Sequence, residues 1–365
     1  MAATDKDIYQ KERALTYCVA NDLIPFLEVN VTNTRELADK PTFLTDIDVL
    51  GIGVDQYGVR RVIFDCKTNS KTSPINRSFW AAGLMQYVNG SEAFVILQKS
   101  ALQAHKLSAK ALKVHLFDEA LFQAYAIASS SEFLGNRSYA VDIARWNKLC
   151  EYYLSNESFL AADGHLRHLI PLEEDFAKAF RGLLNALKWI KGELDPAKPM
   201  HQSIYNHFVS MASFTLCPVV NDIFDIFDPK CTKEQFEEIL RAYIWGGKDS
   251  YRLRRKMKEV MASVNEHVSP EVELSHWDDF VEMIRSFLDS PKDLSMCPIP
   301  LMELALKYVD APVDASDVAL GRRLNRSSRI RPFIFRISGY LVKSAALPKE
   351  FDLQLRQQMN YLLSE

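Results

Sequence analysis

Two short segments, 45–50 and 60–67, constrain this chain more than any other part of it. The second reads Arg60-Arg61-Val62-Ile63-Phe64-Asp65-Cys66-Lys67. Its β-branched and aromatic residues favour a strand, and strand side chains alternate. Asp65 and Lys67 therefore share one face, and Phe64 and Cys66 the other. In Thr45-Asp46-Ile47-Asp48-Val49-Leu50 the same rule separates Asp46 and Asp48 from Ile47 and Val49. Between the two segments stands the turn-forming Asp55-Gln56-Tyr57-Gly58, so the strands fold as a hairpin. Folding back brings two acidic faces together with a lysine beside them. Carboxylates and an ammonium gathered at one point suit a hard divalent cation and a phosphate.

The hairpin sits within a longer pattern. Helical spacing covers about 5–22, 76–89 and 101–112, and strand-like runs cover 26–31, 45–54, 59–65, 93–98 and 114–117. The expected unit over residues 1–120 is an α/β core with a central mixed sheet, in the order α-β-β-β-α-β-α-β. Residues 121–365 read as a mainly α-helical region, and 365 residues are enough for two domains. Helices are expected there at 140–155, 172–191, 203–216, 233–244, 253–267, 276–288 and 300–308, with Pro218 among the punctuating prolines.

On the first helix Ile8, Leu15, Val19 and Leu23 form an apolar stripe that contains Glu12, which places a third carboxylate in the expected pocket. The acid on a first helix, the 45–51 strand, Ile63-Phe64-Asp65-Cys66-Lys67, and Gln86-Tyr87 on the following helix together resemble the PD-(D/E)XK superfamily. Its members include restriction endonucleases, Mrr-like nucleases and Holliday-junction resolvases. The resemblance covers about residues 5–117 and none of the helical remainder. It implies Asp48 and Asp65 as ligands of Mg²⁺ or Mn²⁺, the main-chain carbonyl of Cys66 as a further ligand, and Glu12 completing the shell. It implies that Lys67 orients and helps deprotonate the attacking water, and that Gln86 touches the metal shell or the phosphate. The chain departs from the commoner pattern in carrying Asp rather than Glu at position 65.

A formal net charge of -3 argues against a uniformly basic nucleic-acid coat, so contacts to a polyanion must come from local patches. Between Arg322 and Lys349 there are basic residues and no acidic one, and Phe333, Phe335 and Tyr340 interleave with them. Arg322, Arg323, Arg326, Arg329 and Arg331 are expected to meet phosphates. A second cluster, Arg252, Arg254, Arg255, Lys256 and Lys258, reads equally as a solvated face. His165 and His168 have no third ligand near them, and there is no P-loop. Six scattered cysteines suit a reducing cytoplasm, and the lack of any signal-like start or long apolar run suits a protein with no membrane contact.

The expectation is a metal-dependent nuclease acting on DNA in preference to RNA, in a prokaryotic defence or restriction system, beside a protein partner or a second copy of itself. The alternative is a catalytically silent core that serves as a nucleic-acid-binding or assembly module. The intact acid–acid–lysine set speaks against it.

Overall fold

Asp55 starts the turn on which the sheet is built: its Oδ1 accepts the Tyr57 N–H at 2.7 Å. Gly58 closes it at φ 115°, a backbone region that residues with a Cβ avoid. The strands on either side are β2 (Thr42–Asp55) and β3 (Gly58–Lys67), which pair antiparallel with Asp55 opposite Gly58. β1 (Ile24–Asn33) pairs antiparallel with β2. β4 (Glu92–Leu97) and β5 (Val114–Asp118) continue the sheet in parallel, giving the order β1-β2-β3-β4-β5. The computed structural model describes residues 7–33, 41–67, 73–228, 230–264 and 271–364. Residues 5–6 of the expected first helix and 265–267 of the helix expected at 253–267 lie outside them.

Helices cover both faces of the sheet. α1 (Ile8–Ala20) lies against the face that carries Val62 and Phe64, where Tyr17 meets Phe64 edge-on at 5.6 Å between ring centroids. The approach is close enough that a Cβ on Gly51 would stand 2.7 Å from Cys18 Sγ. α2 (Pro74–Tyr87) joins β3 to β4 on the opposite face, α3 (Gln103–Ala111) joins β4 to β5, and α4 (Glu119–Ser129) follows. The mixed α/β architecture and element order agree with the sequence pattern over this part of the chain.

The remainder is helical: α5 (Ile143–Leu154), α6 (Glu157–Asp163), α7 (Phe176–Ile190), α8 (Pro199–Ile226), α9 (Lys233–Ile244) and α10 (Lys248–Val264). Then come α11 (Trp277–Leu288), α12 (Pro291–Ser295), α13 (Pro298–Lys307), α14 (Asp314–Leu324), α15 (Ile330–Ala345) and α16 (Glu350–Ser364). The last three lie beyond the segments expected from periodicity. Pro218, a stop signal in the sequence, lies inside α8 instead. Every residue of α8 from His201 to Val220 is buried, and that packing offsets the backbone hydrogen bond a proline removes. By length and composition α8 could cross a membrane, but 72% of its apolar window is buried inside the fold, the position of a core helix.

The helical region grips the sheet through a buried cation. Arg61, 2% exposed on β3, donates from Nε to the Pro171 carbonyl at 2.8 Å and from Nη2 to the Glu173 carbonyl at 2.7 Å. Phe26 of β1 meets Phe214 of α8 on the same face, 6.2 Å between centroids. One hydrophobic core thus runs from the sheet into the helices. Replacing Arg61 with Met keeps the volume and removes both charge-assisted bonds, so urea denaturation should show a loss of about 2 kcal/mol. Unchanged stability would show that these contacts do not fasten the two parts.

Candidate metal centre

The site forms where β2 and β3 stop pairing. Their ladder ends at Val49 opposite Phe64. Beyond it, the Cys66 N–H donates to Asp48 Oδ2 at 2.7 Å, a side-chain oxygen standing where a strand carbonyl would otherwise be. Alternation then turns Asp48, Asp65 and Lys67 to the face opposite α1. Lys67 Nζ lies within a ring of three oxygens: Asp48 Oδ2 at 2.9 Å, the Cys66 carbonyl at 3.1 Å and Asp65 Oδ1 at 3.2 Å. Asp65 is 2% and Asp48 7% exposed, whereas the Lys67 side chain keeps 27% of its surface and marks the open side.

Burial raises the Asp48 carboxyl above its ordinary value; Lys67 pulls it back and Asp65 pushes it up again. Burial alone would lower Lys67, yet the charges of Asp65 and Asp48 outweigh it and hold the ammonium above its usual range. The Cys66 thiol is driven well up by burial and then by the two carboxylates, so it stays neutral and its carbonyl is the useful donor.

A second cation completes the cluster. Arg77, the fourth residue of α2, donates from Nε and Nη2 to the two oxygens of Asp65, and its guanidinium lies 3.5 Å from the centre of the Trp80 ring. Two carboxylates thus face two cations. Sequence reasoning passes over Arg77, although a signal is present. A basic residue near a helix N-terminus opposes the helix dipole and calls for an acidic partner.

Two expected members of the site lie elsewhere. Glu12 is half-buried, with its carboxyl raised by burial and then by Asp142, and it belongs to the other side of the sheet. The inner face of α1 takes in Lys11, Ala14, Leu15, Cys18 and Val19, with Glu12 at its edge, and that face packs on the Val62 and Phe64 side of the sheet, away from Asp48 and Asp65. Lys11 is the buried charge there, paired with Glu28 at 2.7 Å. Gln86 is exposed near the C-terminal end of α2, roughly 13 Å along the helix from Arg77. Asp46 lines a separate 710 Å³ cleft with Asn30 and His168, and the His168 Nδ1 accepts the Asn30 N–H at 3.0 Å.

The basic segment also departs from expectation. Arg323 is buried and donates to both oxygens of the fully buried Glu303 at 3.0 Å, and to Asn136 at 3.0 Å. Arg326 binds Asp22 and Glu132, and Arg331 reaches Asn360 at 3.4 Å. Phe333 and Tyr340 are core residues. Of the five arginines, Arg322 and Arg329 are left exposed without such contacts among the described residues. A stretch free of acids along the chain does not exclude acids delivered by other elements. The α10 cluster lies on a helix with no buried residue.

The donors suit a divalent cation. Two carboxylates and one carbonyl are hard oxygen ligands, and the ammonium of Lys67 already occupies a point that all three oxygens face. Among the described residues no three His, Cys, Asp or Glu side chains gather as a metal-binding group. Mg²⁺ commonly keeps several waters and needs only one or two carboxylates, so the set is sufficient for it. No family model, curated protein or solved structure matches the chain.

Asp48 should titrate above the ordinary 3.8 when followed by carboxyl ¹³C NMR, with Asp48→Asn as the assignment control. Lys67→Met should raise the midpoint further, because the opposing positive charge is gone. Divalent-ion affinity should fall as pH drops through that midpoint, since the ligand must be ionised. A midpoint below 3.8, or one lowered by Lys67→Met, contradicts this electrostatic picture.

Proposed function

We propose that the chain is a divalent-metal-dependent nuclease that hydrolyses phosphodiester bonds, with DNA as the preferred substrate, through a PD-(D/E)XK-like core. The observation that carries this reading is the ring of Asp48 Oδ2, Asp65 Oδ1 and the Cys66 carbonyl around Lys67 Nζ, at the parted ends of β2 and β3 in a mixed sheet. Asp48, Asp65 and the Cys66 carbonyl would hold Mg²⁺ or Mn²⁺. A bound ion of this kind makes water a better nucleophile at neutral pH and offsets charge on the phosphoryl oxygens. Lys67, kept charged by its two carboxylate neighbours, donates to a phosphoryl oxygen and orients the water. Its charged state favours a donor role over that of a base. Both carboxylates are almost wholly buried, which lowers the local dielectric and strengthens each of these contacts.

Purified protein should cut at least one of supercoiled plasmid, linear duplex, single-stranded DNA and RNA when Mg²⁺ or Mn²⁺ is present, and none in EDTA. Asp48→Asn should reduce the rate roughly a hundredfold or more while far-ultraviolet circular dichroism is kept. Cleavage that persists in EDTA, or that survives Asp48→Asn undiminished, removes the nuclease reading.

A further inference from the structure

The Asp65–Arg77 pair leaves a question that the nuclease reading alone does not answer. A metal ligand is held on both oxygens by a guanidinium, and the cluster is already neutral, with Asp48 and Asp65 balanced by Lys67 and Arg77. Placing a divalent cation between the carboxylates adds two positive charges beside two existing cations. Coulomb repulsion at such short range in a buried site is severe, so the cations now held by the carboxylates must give way to the ion. Lys67 Nζ fills the point the ion would take and, under the nuclease reading, moves to a phosphoryl oxygen; Arg77 in addition holds both oxygens of Asp65 and must release at least one of them for the ion to bind.

Where Arg77 goes is set by its second contact. Its guanidinium also lies over the Trp80 ring, one turn further along α2, and that contact does not involve Asp65. A released Arg77 is therefore still held beside the carboxylates by Trp80. A guanidinium there offers paired N–H donors that match the oxygens of a phosphate. The charge count agrees. With the ion bound the centre carries two excess positive charges, and the scissile phosphodiester and the attacking hydroxide supply one negative charge each.

We propose that Arg77 is a phosphate-binding residue held in reserve: it occupies Asp65 in the metal-free protein, and divalent-ion binding transfers it to the scissile phosphate. The proposal rests on the nuclease reading and adds to it a residue and an order of events, metal before substrate. Arg77 then acts as a competitor of the ion and an ally of the substrate, so its removal must shift the two affinities in opposite directions.

The test uses full-length protein and requires no turnover. Mn²⁺ affinity is measured by electron paramagnetic resonance, and affinity for a short labelled DNA duplex in Ca²⁺ by fluorescence anisotropy. Arg77→Met should bind Mn²⁺ more tightly by roughly tenfold or more and the duplex more weakly by roughly tenfold or more, since it removes a pair of charge-assisted hydrogen bonds in each case. Trp80→Ala, which leaves the Asp65 pair in place, should weaken duplex binding and leave Mn²⁺ affinity near that of the parent, and it serves where Arg77→Met folds poorly. Mn²⁺ binding that is unchanged or weaker in Arg77→Met overturns the proposal, as does duplex binding untouched by both variants. A parent protein that binds no Mn²⁺ fails differently, because it removes the nuclease reading and this proposal with it.

Discussion

The hydrogen bond from the Cys66 amide to Asp48 Oδ2 is the contact on which the site depends. A sheet in which β2 and β3 kept pairing would place a carbonyl opposite that amide and close the space between the strands. Here a side chain takes the carbonyl's place, so the amide stays satisfied although the ladder has ended. The same oxygen accepts from Lys67, which draws the end of β3 back toward β2 without closing the gap. A cluster of oxygens around Lys67 Nζ results from one substitution of acceptor, and its position follows from where the ladder stops.

Burying two carboxylates side by side is costly, and the fold offsets the cost with two cations of different origin. Lys67 comes from the strand that carries Asp65, two residues on, and Arg77 comes from the helix that follows. Behind the site, on the α1 face, Phe64 stacks on Phe94 at 5.0 Å between centroids and Tyr17 meets both, which fixes the strands that carry the acids. On the site's own face Arg61 is bound by two carbonyls from the chain before α7. The charged cluster is therefore mounted on strands packed from both sides, a rigid support for groups that must be held close together.

The parts of this arrangement that are legible in the sequence are those governed by local rules. A period of two residues assigns Asp48, Asp65 and Lys67 to one face, and the Asp55–Gly58 turn sets their register, so neither needs knowledge of the rest of the chain. A stripe traced through Ile8, Leu15, Val19 and Leu23 misplaces Glu12. Leu15, Val19 and Leu23 are buried as that stripe requires, but the face they bury, with Lys11, Ala14 and Cys18, packs on the side of the sheet opposite the acids, which periodicity does not reveal. Gln86 rests on resemblance alone, and its exposure follows from the phase of α2, whose inward residues are Ser78, Ala81, Leu84 and Met85. The arginines between 322 and 331 show the opposite limit: Glu303 reaches Arg323 from the preceding helix, Asp22 and Glu132 reach Arg326 from distant parts of the chain, and no local pattern announces an ion pair across 194 or 304 positions. Arg77 lies between these cases, readable from its unfavourable place near a helix N-terminus, with its partner supplied only by the fold.

The central claim is that Asp48, Asp65 and the Cys66 carbonyl form a divalent-cation site. Its most direct test is an anomalous difference map from crystals grown with Mn²⁺. A single strong peak within about 2.2 Å of one oxygen from each of the three is expected, with the Arg77 guanidinium withdrawn from Asp65. Crystals that hold Mn²⁺ elsewhere, or that show the Asp65–Arg77 pair intact and no density between the carboxylates at saturating Mn²⁺, would contradict it.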